Sequence, residues 1–316
     1  MIFILVLFIT PFFNNPASFL KMVPRLLDKA FIVFPMMMII LLGRIDISVA
    51  SNVALTSVVM AVLYNAGLPM PLAIAAALVT GTILGGITGL LQIKFPELPA
   101  MIVTLSTMTI YRGIAFVILE NKSAPAYGFP EWFRFFSRGA VGPFPFILIA
   151  FIVTAVIFTI VIHKTGFGRT IYGMGSNLLA CKYSGIKTDR IFMIVALLTG
   201  LMCGVCAIFL SSNLGKVKPD VAQFYELDVI AMVVLGGVST AGGVGRVIGP
   251  ILAVLIISFL QFGLGVMGIT VQVMLVILGL LLIVSVMVNN LRMDKSGNVL
   301  TRMYKGKSPA QNGVSK

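Results

Sequence analysis

Apolar runs of roughly membrane-crossing length follow one another along almost the whole chain, separated by short polar interruptions. They cover about 2–13, 31–42, 47–63, 71–92, 98–119, 144–162, 191–210, 221–235, 247–264 and 270–288. A helix crossing a bilayer needs about 20 mostly apolar residues. Ten such segments leave room only for connections, so the pattern predicts an all-α, polytopic helical membrane protein. A transmembrane domain fills 1–288, and 289–316 is a polar, basic tail. The first run has no basic flank before it and no small-residue cleavage site after it, so it reads as a span and not as a signal peptide. The loop 120–143 is aromatic-rich and carries Trp132, the expected chemistry of a lipid–water boundary. The stretch 164–190 is the longest polar interruption before the tail.

Glycines mark two further features. Gly81, Gly85 and Gly89 recur at four-residue spacing and line one helix face, the pattern of close helix contact. Gly236, Gly237, Gly242, Gly243, Gly245 and Gly249 weaken any helix by about 1 kcal/mol each. Broken backbone at membrane depth must face protein or a water-filled cavity. Arg246 within the run favours a tight cytoplasmic turn instead.

Composition sharpens this. Of 316 residues 59% are hydrophobic and 10% charged, against about 25% charged in soluble domains, which excludes a soluble globular protein. The net charge of +13 would favour nucleic acid in a soluble chain. Here no basic run is interleaved with aromatics, and the partner surface is membrane lipid, with no nucleic acid. Basic residues gather in cytoplasmic loops. Ten spans with both termini cytoplasmic place Arg44, Lys94, the basic residues of 164–190, Arg246 and the basic tail inside, the larger share of the total.

Chemistry-bearing residues are few. Cys203-x-x-Cys206 has redox spacing but lies in an apolar run beside Gly200 and Gly204, which points to helix packing. His163 is the one histidine, so no metal site is expected. Ser239 in the glycine run lacks a His or Asp partner. No phosphate-binding G-x-x-x-x-G-K-[ST] motif occurs. The chain is therefore expected to be no enzyme, with no catalytic residues. Asp46 is either a helix cap or a polar point on a solute route, with Arg44 two residues away to offset its charge. Glu226 and Asp228 either favour a helix N-terminus or line such a route. Arg112 either snorkels outward or serves a solute pathway. Asn177 is a plausible N-cap for a short helix over 178–183, and Gly185 a suitable C-cap. That helix would offer a rigid knob to a partner protein.

These last residues carry a resemblance. Phe167-Gly-Arg-Thr-Ile-Tyr-Gly-Met-Gly-Ser-Asn177, then Ala180 and Tyr183-Ser-Gly-Ile186, resembles the cytoplasmic coupling loop of ABC-importer permeases of the branched-chain type, in the subgroup for ribose, other monosaccharides and autoinducer-2. Gly43-Arg-Ile-Asp-Ile-Ser-Val-Ala-Ser51 is similar to that family's GGIDLSVGS. The stretch from Leu98 to Gly113 is similar to its PxFIxTLGTMxxxRG. Tyr225-Glu-Leu-Asp-Val-Ile-Ala-Met-Val-Val-Leu-Gly-Gly237 is similar to its YELDAIAAVVLGG. Arg44, Ala50 and Ser106 depart from glycines of the pattern.

The resemblance implies a type II importer permease fold, similar to the membrane subunit of the vitamin B12 importer. It implies a bacterial inner-membrane location and two permease subunits, identical or different, around a central path. A periplasmic sugar-binding protein and cytoplasmic ATPases would complete the assembly, with ATP and Mg held on the ATPase and no cofactor in this chain. Gly168, Arg169, Tyr172, Gly175, Asn177, Ala180, Ser184 and Gly185 would form the ATPase-facing loop. Asp46, Ser48, Thr104, Glu226 and Asp228 would serve the path or its gating. The rival reading is an ion-coupled secondary sugar transporter, with Asp46 as its titratable group.

Overall fold

The computed structural model describes residues 27–125 and 127–295. The first apolar run and the tail from 296 on lie outside the described residues. The described helices are α1 (Ala30–Leu41), α2 (Val49–Asn65), α3 (Met70–Lys94), α4 (Ala100–Leu119), the short α5 (Phe135–Arg138), α6 (Phe146–Lys164), α7 (Gly166–Ser176), α8 (Leu178–Tyr183), α9 (Thr188–Leu214), α10 (Tyr225–Leu235), α11 (Ile248–Val266) and α12 (Val271–Lys295). One two-residue hairpin, β1 (Ala140–Val141) against β2 (Phe144–Pro145), sits in the aromatic loop with Ala140 opposite Pro145.

Successive long helices alternate in direction, so the connections sort to two ends. At one end the turn after α10 meets the end of α1, where Gly243 N donates to Leu41 O at 2.8 Å. The loop 164–190 lies at this same end, with Tyr172 Oη donating to Gly245 O at 2.7 Å. At the opposite end Ala124 and Val217 exchange backbone hydrogen bonds, and Ser212 Oγ donates to Phe133 O at 2.6 Å.

Five helices, α3, α4, α6, α9 and α11, are long and apolar enough to cross a membrane. The runs at 31–42 and 221–235 prove different in kind. α1 has 12 residues and α10 has 11, so they rise about 18 and 17 Å, short of a hydrocarbon core of about 30 Å. All twelve residues of α1 are buried, and α10 is buried from Asp228 to Val234. A helix apolar on every side is an interior helix, and AFIVFPMMMIIL has no polar face. Phe31 stacks on Phe209 of α9 with centroids 4.8 Å apart, and Phe34 meets Phe151 and Phe158 of α6, each at 5.4 Å.

The glycine stripe of α3 finds its partner in α9. A Cβ on Gly81 would lie 2.5 Å from Gly200 O, and one on Gly85 2.5 Å from Ala196 O. The two backbones touch because only glycines, and the methyl of Ala196, lie between them there. Cys203 and Cys206 are buried free thiols on α9, in keeping with a packing role. The turn expected over the glycine run is present, with Gly237, Gly242 and Gly243 at positive φ.

Candidate functional site

The polar loop after α6 is more ordered than its sequence suggests. Residues 166–176 form α7, a helix that the sequence reading leaves as loop. Four glycines in eleven residues argue locally against helix, since each lowers helix propensity. Tertiary contact reverses the argument. A Cβ on Gly168 would overlap Ile162 O, and one on Gly175 would overlap Leu41 O and Gly243 N. The glycines let α7 lie directly against the end of α6, the end of α1 and the turn after α10. Thr165 caps it, its Oγ1 accepting from Gly168 N at 3.3 Å. Tyr172 stacks on His163 with centroids 6.3 Å apart. Burial holds the Tyr172 phenol above its ordinary range, so it stays protonated and remains a donor to Gly245 O.

α8 has the predicted bounds. Asn177 Oδ1 accepts from Ala180 N at 2.9 Å. Gly185 sits at φ +79°, with Gly185 N donating to Lys182 O and Ile186 N to Cys181 O. That bond pair is a Schellman motif. The predicted loop residues therefore divide. Gly168, Tyr172 and Gly175 face inward and anchor the loop. Arg169 is exposed on α7, and Asn177, Ala180, Ser184 and Gly185 are exposed on or beside α8. The sequence reading misses what α8 presents: Leu178, Leu179 and Tyr183 point outward, Leu179 at 65% and Tyr183 at 90% exposure. Two leucines directly after the cap of an otherwise polar loop were the available signal. Asn177→Ala removes the cap, worth about 1 kcal/mol. Amide exchange across 178–183 is expected to speed up about fivefold.

The candidate path residues do not form one site. Asp46 is buried, and its Oδ1 accepts from Ser48 N at 2.8 Å and Ser48 Oγ at 2.6 Å. The pair closes a local turn just before α2, whose N-cap residue Ser48 makes no side-chain cap bond of its own. Arg44 turns away from Asp46, to Gln92 Oε1 at 3.3 Å and over the Phe192 ring at 4.2 Å. Thr104 is buried, and its Oγ1 donates to Met101 O of its own helix. These positions lie toward the end that carries the loop 164–190, Glu226 and Asp228 toward the other.

Asp228 is buried and ion-paired with Lys29, and Gln261 bonds both partners. Tyr225 Oη donates to Asp28 Oδ2 at 3.0 Å. This cluster ties α10 and α11 to Lys29 at the start of α1. Arg112 does not snorkel outward. Its Nη1 donates to Pro219 O at 3.0 Å and Val221 O at 2.7 Å, where these carbonyls offer the guanidinium ready acceptors. Glu226 borders an open cleft that Arg112 also lines.

A bundle of alternating apolar helices, with polar positions held inside and a short capped helix at one end, is the architecture of a multi-pass membrane protein. Residues 28–286 match the family described as branched-chain amino acid transport system/permease component, and the chain belongs to that family. It is 36% identical over 291 residues to the ribose import permease protein RbsC of Bacillus subtilis (strain 168), covering 91% of this chain and 90% of that one. It is 34% identical over 286 residues to the autoinducer 2 import system permease protein LsrD of Escherichia coli O157:H7, covering 85% and 86%. The same protein of Escherichia coli (strain K12) is 34% identical over 280 residues, covering 83% and 84%. No solved structure gives a significant match.

Proposed function

We propose that this chain is the membrane-spanning subunit of an ATP-driven importer for a monosaccharide or related small sugar, set in a bacterial inner membrane with both termini cytoplasmic. The loop 164–190 receives a separate ATPase that binds ATP and Mg. A periplasmic sugar-binding protein docks at the opposite end, and a second permease subunit, identical or different, completes the path.

One observation carries this reading: α8 is a capped knob with exposed Leu179 and Tyr183, joined through α7 to the end of α1 and the turn after α10. A push on α8 is passed to Leu41 and Gly243 through contacts without side chains between them. Coupling by a ligand-driven two-state element has this form. The importing relatives support the sugar class.

The test is purification from solubilised membranes with an ATPase assay of the eluate. Co-elution of a nucleotide-hydrolysing subunit supports the reading. Its absence after gentle cross-linking would favour an ion-coupled carrier and make Asp46 the residue to mutate. In the assembled importer, Arg169→Glu is expected to uncouple hydrolysis from uptake while membrane insertion is kept. Uptake and co-purification at wild-type levels would remove Arg169 from the interface.

A further inference from the structure

The half of α4 remote from the coupling loop and the start of α10 enclose a cleft of about 450 Å³. Among its lining residues are Thr109, Arg112, Gly113, Gln223, Phe224 and Glu226. We propose that this cleft is a binding station for a neutral polyhydroxylated solute, with Arg112 donating to its hydroxyls and Glu226 accepting from them. The proposal rests on the importer reading given above and assigns the residues that meet the cargo.

Four observations lead to it. First, Arg112 lies seven residues before the end of α4, about 10 Å along the helix. An ionisable side chain at membrane depth faces a protein interior or a water-filled cavity. Here the cleft opens on the outer surface of the chain. Second, Arg112 and Glu226 line one cleft without forming an ion pair. Among the described residues the ion pairs are Lys29–Asp228 and Lys122–Glu120.

Third, Glu226 borders the cleft with one carboxylate oxygen, Oε2, closed off from water and accepting no hydrogen bond within the described residues, so a donor meets it only when the neighbouring side chains give way. A buried acceptor left open calls for a donor. Fourth, Ala222 and Phe224 hold positive φ, +59° and +65°, a backbone state disfavoured for residues with side chains. Between them they turn Gln223 and Phe224 to the rim. Such local strain gathers at ligand clamps.

The polar part of the lining sets the chemistry, beside the apolar Met108 and Phe116. The two charges cancel, so a neutral solute suits the cleft. A sugar hydroxyl both donates and accepts, so neighbouring hydroxyls can bridge the carboxylate and the guanidinium. Phe224, 44% exposed, offers a flat apolar face to ring carbons. An amino-acid zwitterion is the competing cargo. Arg112 Nη1 is already committed to Pro219 O and Val221 O, which limits the fork available to a carboxylate.

Gly113 gives a clean test, because a side chain there meets nothing within 4 Å. Gly113→Leu should fill the cleft without disturbing the bundle, and Glu226→Gln removes the charge at constant size. The assembled importer in proteoliposomes is given radiolabelled D-ribose, L-rhamnose, autoinducer-2 and L-leucine. In both variants sugar uptake is expected to fall at least about tenfold, as when a polar site loses its partner, while each variant still co-purifies with the ATPase. Separately, Thr109→Cys should react with a water-soluble thiol reagent at least about tenfold faster than Ile114→Cys, which lies on another face of the same helix. The native cysteines are buried.

Wild-type sugar uptake in both variants, or an unreactive Thr109→Cys, overturns the proposal. Uptake of leucine in place of the sugars overturns the cargo class. Absence of all uptake by the wild-type assembly counts against the importer reading itself, and the thiol reaction then still decides whether the cleft is wet.

Discussion

Lys29→Met is expected to lower the stability of the purified permease by about 3–5 kcal/mol, the range for removing one partner of a buried ion pair. The loss comes from what is left behind. Asp228 stays buried beside Gln261, with no other cation paired to it among the described residues. The second variant makes this an argument about charge and not about volume. In Lys29→Met/Asp228→Asn, the new amide can accept from Gln261 Nε2 and donate to its Oε1. Part of the lost stability should return, because a neutral, hydrogen-bonded pair costs far less to bury than an orphaned charge; the rest stays lost because Asp28, buried beside the same ammonium, is left without its cation. Thermal unfolding in detergent, followed by size-exclusion chromatography, gives both numbers. A double variant no better than the single one would mean that the packing of the Lys29 stem matters more than its charge.

Gly200→Leu is the second large effect. A Cβ there would lie 2.9 Å from Gly85 Cα and 3.0 Å from Gly81 C, and these are backbone atoms that cannot rotate aside. Overpacking ordinarily costs about 1–3 kcal/mol. Here α3 and α9 would have to separate along their shared seam, so the cost should exceed that range and folded protein should not accumulate. Gly113→Leu is the matched control, the same exchange on another helix with open space around it. Yields of monodisperse protein from the two variants should differ sharply. Equal yields would show that the α3–α9 contact can open without penalty.

Features fixed by near neighbours were legible in the sequence, and features fixed across the bundle were not. The bounds of α8 follow from Asn177 at one end and Gly185 at the other, both within hydrogen-bonding reach of the helix they close. α7 stayed hidden because its glycines are explained only by Ile162, Leu41 and Gly243. The stripe on α3 announced a close contact but could not name α9 as its partner. Lys29 gave no local sign that its counter-ion is 199 residues away. Arg112 in an apolar helix fits the snorkelling rule until the carbonyls of Pro219 and Val221 are in place. The apolar runs located the helices. They did not separate those that cross the bilayer from α1 and α10, because a run of apolar residues does not record what surrounds it.

The complete enclosure of α1 bears on how such a machine is driven. A helix that touches lipid must change its match to the bilayer when it shifts, at some cost for each ångström of mismatch. α1 exposes none of its twelve residues, so a slide along its own axis leaves the lipid boundary unaltered. The work of moving it is then set by protein contacts alone. Turnover limited by that slide should be indifferent to acyl-chain length, and the same stroke should serve in thin and thick membranes.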